Sequence, residues 1–405
     1  MVERDGLLDG ADELDLTVRG RYGRQVLLPG IGEAGQARLA ASRVLVLGCG
    51  ALGSVLAETL VRAGVGLRSA GGCVRVVDRD VLEWSNLQRQ VLYTEADVRD
   101  GLPKAEAARR RLGEINGETA LEAEVADMSA GTIERLLGVR GGVAGVDLMV
   151  DGLDNVETRW LVNEAAVFYG VPYVYGGAVG TAGMVYPVLP RSLTGDRAWE
   201  REGGGGATPD LEQVFGGGGG SGGSGGAGGG GWETCDTVGV LGPLIHVVAG
   251  LQAAEALKVL AGRWEAVTRK LQCVELWGAK GGGGGWRALE VGEARAFDME
   301  RPFPLLEGKG GSSAVTLCGR GAVQLSPTSG GSELDVEALA GRWSVVLGAD
   351  AVRVNAFLVK GDLRGSGVAE GRAESVTAFR DGRVLVQGTT DTAVARGVYD
   401  RLVGG

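Results

Sequence analysis

Val44-Leu-Val-Leu-Gly-Cys-Gly-Ala-Leu-Gly53 is the stretch that decides the fold. An apolar run ends in Gly48, Gly50 and Gly53, an apolar helical run follows, and Val74-Arg-Val-Val-Asp78 ends a second apolar run on an acid. The order is strand, phosphate loop, helix, strand and ribose acceptor, half of a nucleotide site on an α/β sheet. Glycines in the loop let phosphate oxygens reach backbone amides at a helix N-terminus, where partial positive charge collects. Asp78 lies about 25 residues past Gly53, beyond the usual spacing of roughly 20. Arg68-Ser-Ala-Gly-Gly-Cys73 reads as the inserted loop that makes up the difference. Alone, the fingerprint fits NAD, FAD or ATP equally, and a structural βαβ unit with no ligand is also compatible with it.

Working outward, Val146-Asp-Leu-Met-Val-Asp151 is a further strand signal, closed by Gly152-Leu-Asp-Asn155. That puts a carboxylate and an amide just past a strand's C-terminal end, the edge where open α/β sheets bind ligands. A helix from Thr158 to Tyr169 follows, then strands over 171–175 and 183–189. On the N-terminal side, Arg21-Tyr-Gly-Arg-Gln-Val-Leu-Leu-Pro-Gly30 reads as a docking helix held by Val26, Leu27 and Leu28. Glu83-Trp-Ser-Asn-Leu-Gln-Arg-Gln90 comes after the fingerprint, and Gly101-Leu-Pro-Lys104 leads into a helix reaching Leu112.

Residues 203–231 are mostly glycine with serine and read as a flexible, disordered insertion. An apolar helix then runs from Leu244 through Leu260, with Gly250, Ala253 and Ala254 permitting close packing. The tract Gly281 to Gly285 falls in a hairpin between strands around 271–277 and 286–289. Composition changes near Phe297. The expected organisation is a loose leader over 1–18, a nucleotide domain over 19–295, and a small α+β domain over 296–405. In the last of these, Leu334–Trp343 reads as a helix and 352–359 and 375–379 as strands. Asp381-Gly382 is a hairpin turn, and Asp391 caps a final helix to Leu402.

The chain has 405 residues and a formal charge of −10, which argues against a nucleic-acid surface and suits docking to a basic patch. The 44% hydrophobic content requires no membrane span, and the acidic N-terminus lacks a signal-peptide profile, so a cytoplasmic location is expected. Cys49, Cys73, Cys235, Cys273 and Cys318 contain no C-x-x-C pair, the spacing of neither a disulfide framework nor a zinc cage. His246, the single histidine, sits in an apolar helix and reads as a packed core residue.

Arg21-Tyr-x-Arg-Gln25, the Gly48 loop, Ser85-Asn-Leu-x-Arg-Gln90, Lys104, Asp154-Asn155 and Gly239-Val-Leu-Gly-Pro243 occur in this order, and over roughly residues 20–290 the sequence resembles the MoeB/ThiF/HesA family. The resemblance implies a Rossmann-like doubly wound sheet with a crossover loop. It implies ATP-dependent adenylylation of the C-terminal glycine of a ubiquitin-like sulfur carrier of the MoaD/ThiS type, in molybdopterin or thiamin synthesis. By the same resemblance Arg89 and Lys104 hold the phosphates, Asn86 helps orient them, Asp154 holds Mg²⁺, and Arg24 reaches into the neighbouring subunit of a homodimer. Cys235 matches a cysteine that some relatives join covalently to the carrier, though others adenylate without it. Many relatives bind zinc through two C-x-x-C pairs; this chain lacks them, and no zinc is expected. The C-terminal domain resembles an extension of some bacterial members and offers no catalytic cluster.

Blander readings exist for each residue: Arg24 and Arg89 as surface arginines, Asp154 as a cap of the helix near Glu157, Lys104 as a solvated helix start, Cys235 as a plain loop cysteine. The terminal Gly404-Gly405 is the tail type such enzymes activate, but it also suits an ordinary helix end. Two rival functions use the same fold, a nicotinamide-dependent oxidoreductase and a catalytically degraded nucleotide-binding module.

Overall fold

The computed structural model describes residues 20–190, 206–216, 238–278, 284–294, 302–308, 314–317, 321–325, 333–369 and 372–403. Cys235, Cys318, the leader and the terminal glycine pair lie outside the described residues.

Strand β1 (Arg43–Leu47) is the middle of the five parallel strands in an eight-stranded sheet with β2 (Cys73–Val77), β3 (Leu121–Glu124), β4 (Leu148–Asp151), β5 (Tyr173–Val179), β6 (Ala182–Val188), β7 (Lys270–Glu275) and β8 (Gly285–Glu290). The order is β3-β2-β1-β4-β5-β6-β7-β8. The first five strands are parallel and the last three antiparallel. The β1 residues explain why it is central. Val44 and Val46 face one apolar cluster, while Leu45 and Leu47 face the other. A strand covered on both sides needs an unbroken apolar run rather than an alternating one.

The chain turns one way from β1 through β2 to β3 and the other way through β4 to β5. This leaves a topological switch point between β1 and β4. The Ala51–Arg62 and Gly242–Leu260 helices pack together on one face. The second of these is long and apolar enough to cross a membrane by length and composition, and its packing against β5, β6 and the Ala51–Arg62 helix accounts for that apolarity. Two expectations about it need correction. His246 is exposed rather than packed in the core, and of the three small residues only Ala253 is buried.

The glycine-rich excursion also needs correction where it is described. Within 206–216, Thr208 and Asp210 are each 4% exposed and Leu211–Phe215 is helical. Asp210 caps that helix by accepting from Gln213 N at 3.0 Å. Thr208 Oγ1 accepts from Leu189 N at 2.8 Å, and Asn163 Oδ1 accepts from Leu211 N at 2.9 Å. Ala-Thr-Pro-Asp-Leu carries the side chains that glycine lacks, and they anchor the segment to the sheet.

The C-terminal residues form an antiparallel sheet in the order β11 (Val352–Val354), β12 (Leu358–Asp362), β13 (Ser375–Phe379), β14 (Val384–Gln387), β10 (Ala322–Leu325), β9 (Ala314–Leu317). The helices Val336–Leu347 and Thr392–Leu402 share its apolar cluster. Asp391 caps the second, accepting from Ala393 N at 2.8 Å. The first begins later than expected because Asp335 caps it, accepting from Ala338 N at 3.0 Å. The single strand expected over 352–359 is two, because Asn355 Oδ1 accepts from Phe357 N at 2.9 Å and Leu358 N at 3.1 Å and turns the chain.

This second sheet is docked on the first domain by polar side chains. Gln324 Nε2 donates to Asp127 Oδ2 at 2.8 Å, and Asn355 Nδ2 donates to Gly101 O at 3.1 Å. Arg383 donates to Arg79 O at 3.3 Å and to Val125 O at 3.4 Å.

Candidate nucleotide-binding site

A cleft opens at the switch point, above the C-terminal ends of β1, β2 and β4. Its lining includes Gly48, Gly50, Asp78, Arg89, Lys104 and Asp154. These residues are scattered along the chain, and the parallel strands bring them to one edge.

The three glycines of the loop divide by what surrounds them. A Cβ on Gly53 would stand 1.9 Å from Gly48 O, and one on Gly48 would stand 2.7 Å from Gly152 O, with the Gly48 backbone at φ +82°. A Cβ on Gly152 in turn would meet Gly48 O at 2.5 Å and Gly53 Cα at 2.7 Å. These three glycines therefore serve the close approach of protein backbone to protein backbone. Only Gly50 matches the expectation of phosphate access. Its nearest neighbours, Gln90 Nε2 and Gly152 O, would lie at 3.9 and 4.0 Å from a Cβ, leaving open cleft in front of it. It also stands as N-cap of the Ala51–Arg62 helix, so the amides behind it can meet an anion.

Asp78 is 8% exposed, and each carboxylate oxygen already accepts a backbone amide: Cys49 N at 2.7 Å and Asp80 N at 2.7 Å. The second lone pair of each oxygen stays available to a ribose hydroxyl. Burial raises its pKa, against the pull of Lys104. Lys104 begins the helix Lys104–Ile115 and is 3% exposed. It is no solvated helix start, since its Nζ donates to Asp80 Oδ2 at 2.9 Å. Arg89 lines the cleft and donates to Ser85 O at 2.8 Å.

Asp154 lines the cleft and does not cap the next helix. That work falls to Asn155, whose Oδ1 accepts from Thr158 N at 2.8 Å, while its Nδ2 donates to Asp154 Oδ1 at 3.3 Å. Two of the expected residues stand elsewhere. Asn86 is buried at the third position of the short helix Trp84–Asn86, with Oδ1 accepting from the N-cap amide, Glu83 N, at 3.0 Å, and it does not line the cleft. Arg24 is exposed in the short helix Gly23–Val26, away from the cleft of its own chain.

Several residues with a stake in the site went unassigned in the sequence. Gln90 lines the cleft at 3% exposure, and its Oε1 has no hydrogen-bond partner among the described residues, an acceptor ready for a ligand hydroxyl or water. Tyr93 OH donates to Cys49 O at 2.6 Å and lies 3.2 Å from Lys104 O, tying the glycine loop to the helix that carries the lysine. Arg159 donates to Asp151 Oδ2 at 3.0 Å, to Leu153 O at 2.6 Å and to Gly176 O at 2.9 Å, so it fixes the loop that presents Asp154. Burial works against its charge, but Asp151 with the Tyr175 and Tyr173 hydroxyls outweighs that and raises its pKa. The signals were Gln90 beside Arg89 and an arginine one helical turn past Asn155. Cys49, inside the loop, is no nucleophile, because burial pushes its thiol up to about 12.

The ThiF family model matches residues 22–296. The chain belongs to the ThiF family. It is 36% identical over 394 residues to the sulfur carrier protein ThiS adenylyltransferase of Bacillus subtilis, covering 95% of this chain and 99% of that one. The ThiS adenylyltransferase of Escherichia coli is 33% identical over 244 residues, 60% of this chain and 81% of that protein. Among solved structures, Escherichia coli MccB with MccA-N7isoASN aligns with a TM-score of 0.51 at 20% identity, over 68% of this chain and 73% of that one, a likeness of fold. The adenylyltransferases among these relatives are consistent with ATP as the nucleotide, the choice the glycine loop left open.

Proposed function

We propose that this ThiF-family chain adenylylates the C-terminal glycine of a ubiquitin-like sulfur carrier of the ThiS type, with Arg89, Lys104 and Asp154 as the working side chains. The observation that carries this is their convergence on one cleft in front of Gly50. A hydride transfer would not need these two cations and the carboxylate together. The end-to-end similarity to a ThiS adenylyltransferase supports ThiS over a MoaD-type carrier.

In the reaction a carboxylate oxygen of the carrier attacks the α-phosphorus of ATP. The bond from that phosphorus to the bridging oxygen of pyrophosphate breaks, giving acyl-adenylate and pyrophosphate. The nucleophile is an anion at neutral pH, so the protein's task is positioning and charge neutralisation rather than base catalysis. Amides behind Gly50 and the Arg89 and Lys104 cations face the phosphates, and Asp78 takes the ribose. Asp154 fits Mg²⁺ by its chemistry, a carboxylate in the cleft that would share the ion with substrate phosphates, as this metal usually does. The ion, when bound, neutralises phosphate charge. Arg24, exposed and away from its own cleft, would serve the cleft of a second copy in a homodimer.

The test is ATP–pyrophosphate exchange with a ThiS-type carrier. Exchange should require both ATP and carrier, and Asp154→Ala should lower it by at least about a hundredfold with the melting temperature unchanged. Near-normal exchange in that variant would move the metal site elsewhere.

A further inference from the structure

The loops after β2 and β3 form one wall of the cleft, through Asp78, Arg79 and Asp80 on one and Ala126, Asp127 and Met128 on the other. Within this wall runs a chain of charges. Lys104 Nζ lies 2.9 Å from Asp80, Arg79 Nε lies 3.9 Å from Asp80, and Arg79 Nη1 lies 3.2 Å from Asp127. The far end of that chain is held from the C-terminal domain, where Gln324, 4% exposed on β10, donates to Asp127 Oδ2. Arg383, also 4% exposed, spans both loops, donating to the carbonyl of Arg79 in one and of Val125 in the other. Its guanidinium is itself preset, paired with Asp381 at 2.6 Å and lying 4.5 Å from the Phe379 ring centre.

We infer that the C-terminal domain is a working part of the nucleotide site, with Gln324 and Arg383 as positioning residues that hold this wall for ATP. The inference rests on the adenylyltransferase reading above. Neither residue lines the cleft; each acts through Arg79, Asp127 and the loop backbones, and so sets where Asp78 and the Asp80-anchored Lys104 stand. Geometry held this way matters because a displacement of about 1 Å at a binding group costs far more than the contact itself. The expected signature is a change in nucleotide affinity with carrier binding untouched. Simple docking of the two domains predicts something different, since Asn355 joins the same domains at Gly101, outside the cleft lining.

The test uses the full chain and calorimetric binding of α,β-methylene-ATP without carrier, alongside melting temperatures and exchange kinetics. Gln324→Met and Arg383→Met should each weaken nucleotide binding about five- to tenfold, the size of a partly lost hydrogen bond to a charged group. The exchange KM for ATP should rise by the same factor and the carrier KM stay within about twofold. Arg383→Lys, which keeps one donor, should fall between wild type and Arg383→Met, and Asn355→Ala should bind nucleotide normally. Wild-type affinity in both Gln324→Met and Arg383→Met would overturn the inference while leaving the adenylyltransferase reading intact. Equal weakening in Asn355→Ala would also overturn it, in favour of docking alone. Failure of the wild-type chain to bind the analogue would instead sink the functional reading on which both rest.

Discussion

Gly50 and Gly53 sit one helical turn apart and answer to different constraints. Gly53 is pressed against the Gly48 carbonyl, so Gly53→Ala forces backbone apart and should lower stability by about 3 kcal/mol or more. Gly50 faces empty cleft at negative φ, so Gly50→Ala should cost about 1 kcal/mol at most in denaturant titration. It should nonetheless raise the KM for ATP by about tenfold, because the methyl occupies the ground where phosphate approaches. A Gly50→Ala variant as unstable as Gly53→Ala would refute this division. All three glycines look alike in the sequence, because a fingerprint gives spacing but not what each Cβ would strike. Asp78, Lys104 and Asp154 were legible as cleft residues, since strand ends and helix starts fix where they fall. Asn86 was not, because its amide is satisfied locally by Glu83 N, a contact the motif does not encode.

At the level of elements, the buried strands announced themselves as apolar runs, while the polar edge did not. Leu121–Glu124 gives no strand signal because it reads Leu-Glu-Ala-Glu and is only half-buried, without the run that marks β1 or β4. The hairpin of β7 and β8 could be read around its glycine tract, but not its pairing with β6, which joins segments far apart in the chain. The buried strand and loop thiols carry a pH consequence. Burial raises Cys49 to about 12 and Cys73 to about 11. Below the unfolded thiol pKa both states hold the proton and stability is unaffected. Above about pH 9 the unfolded chain sheds protons that the folded chain keeps, so stability should fall with rising pH, by about 1 kcal/mol per unit for each thiol. Cys49→Ala should flatten that fall between about pH 9 and 11 in urea titrations, relative to wild type. An unchanged slope would place the alkaline loss on other groups.

On the scale of the whole molecule, the proposed division of the site between two subunits has an arithmetic test. Chains carrying Arg24→Ala and chains carrying Asp154→Ala should each be inactive alone. Mixed and re-equilibrated in equal amounts, they form heterodimers in which one of two clefts is intact, and exchange should recover to about a quarter of wild type. No recovery would argue that Arg24 serves its own chain or none. The α+β character of the tail could be read from its turn signals. That the tail reaches back to the cleft could not, because Gln324 and Arg383 are ordinary strand and turn residues until folding sets them against Asp127 and the Arg79 carbonyl.

Before any substrate arrives, the ammonium of Lys104 already leans on Asp80. Its positive charge is spoken for, and an incoming anion must outbid a carboxylate that is covalently part of the same wall. A lone sulfate or AMP has little with which to do so, whereas a triphosphate engages several donors at once. Binding at this corner of the cleft is therefore an exchange of partners, in which phosphate takes over the ammonium from Asp80 rather than meeting a bare cation.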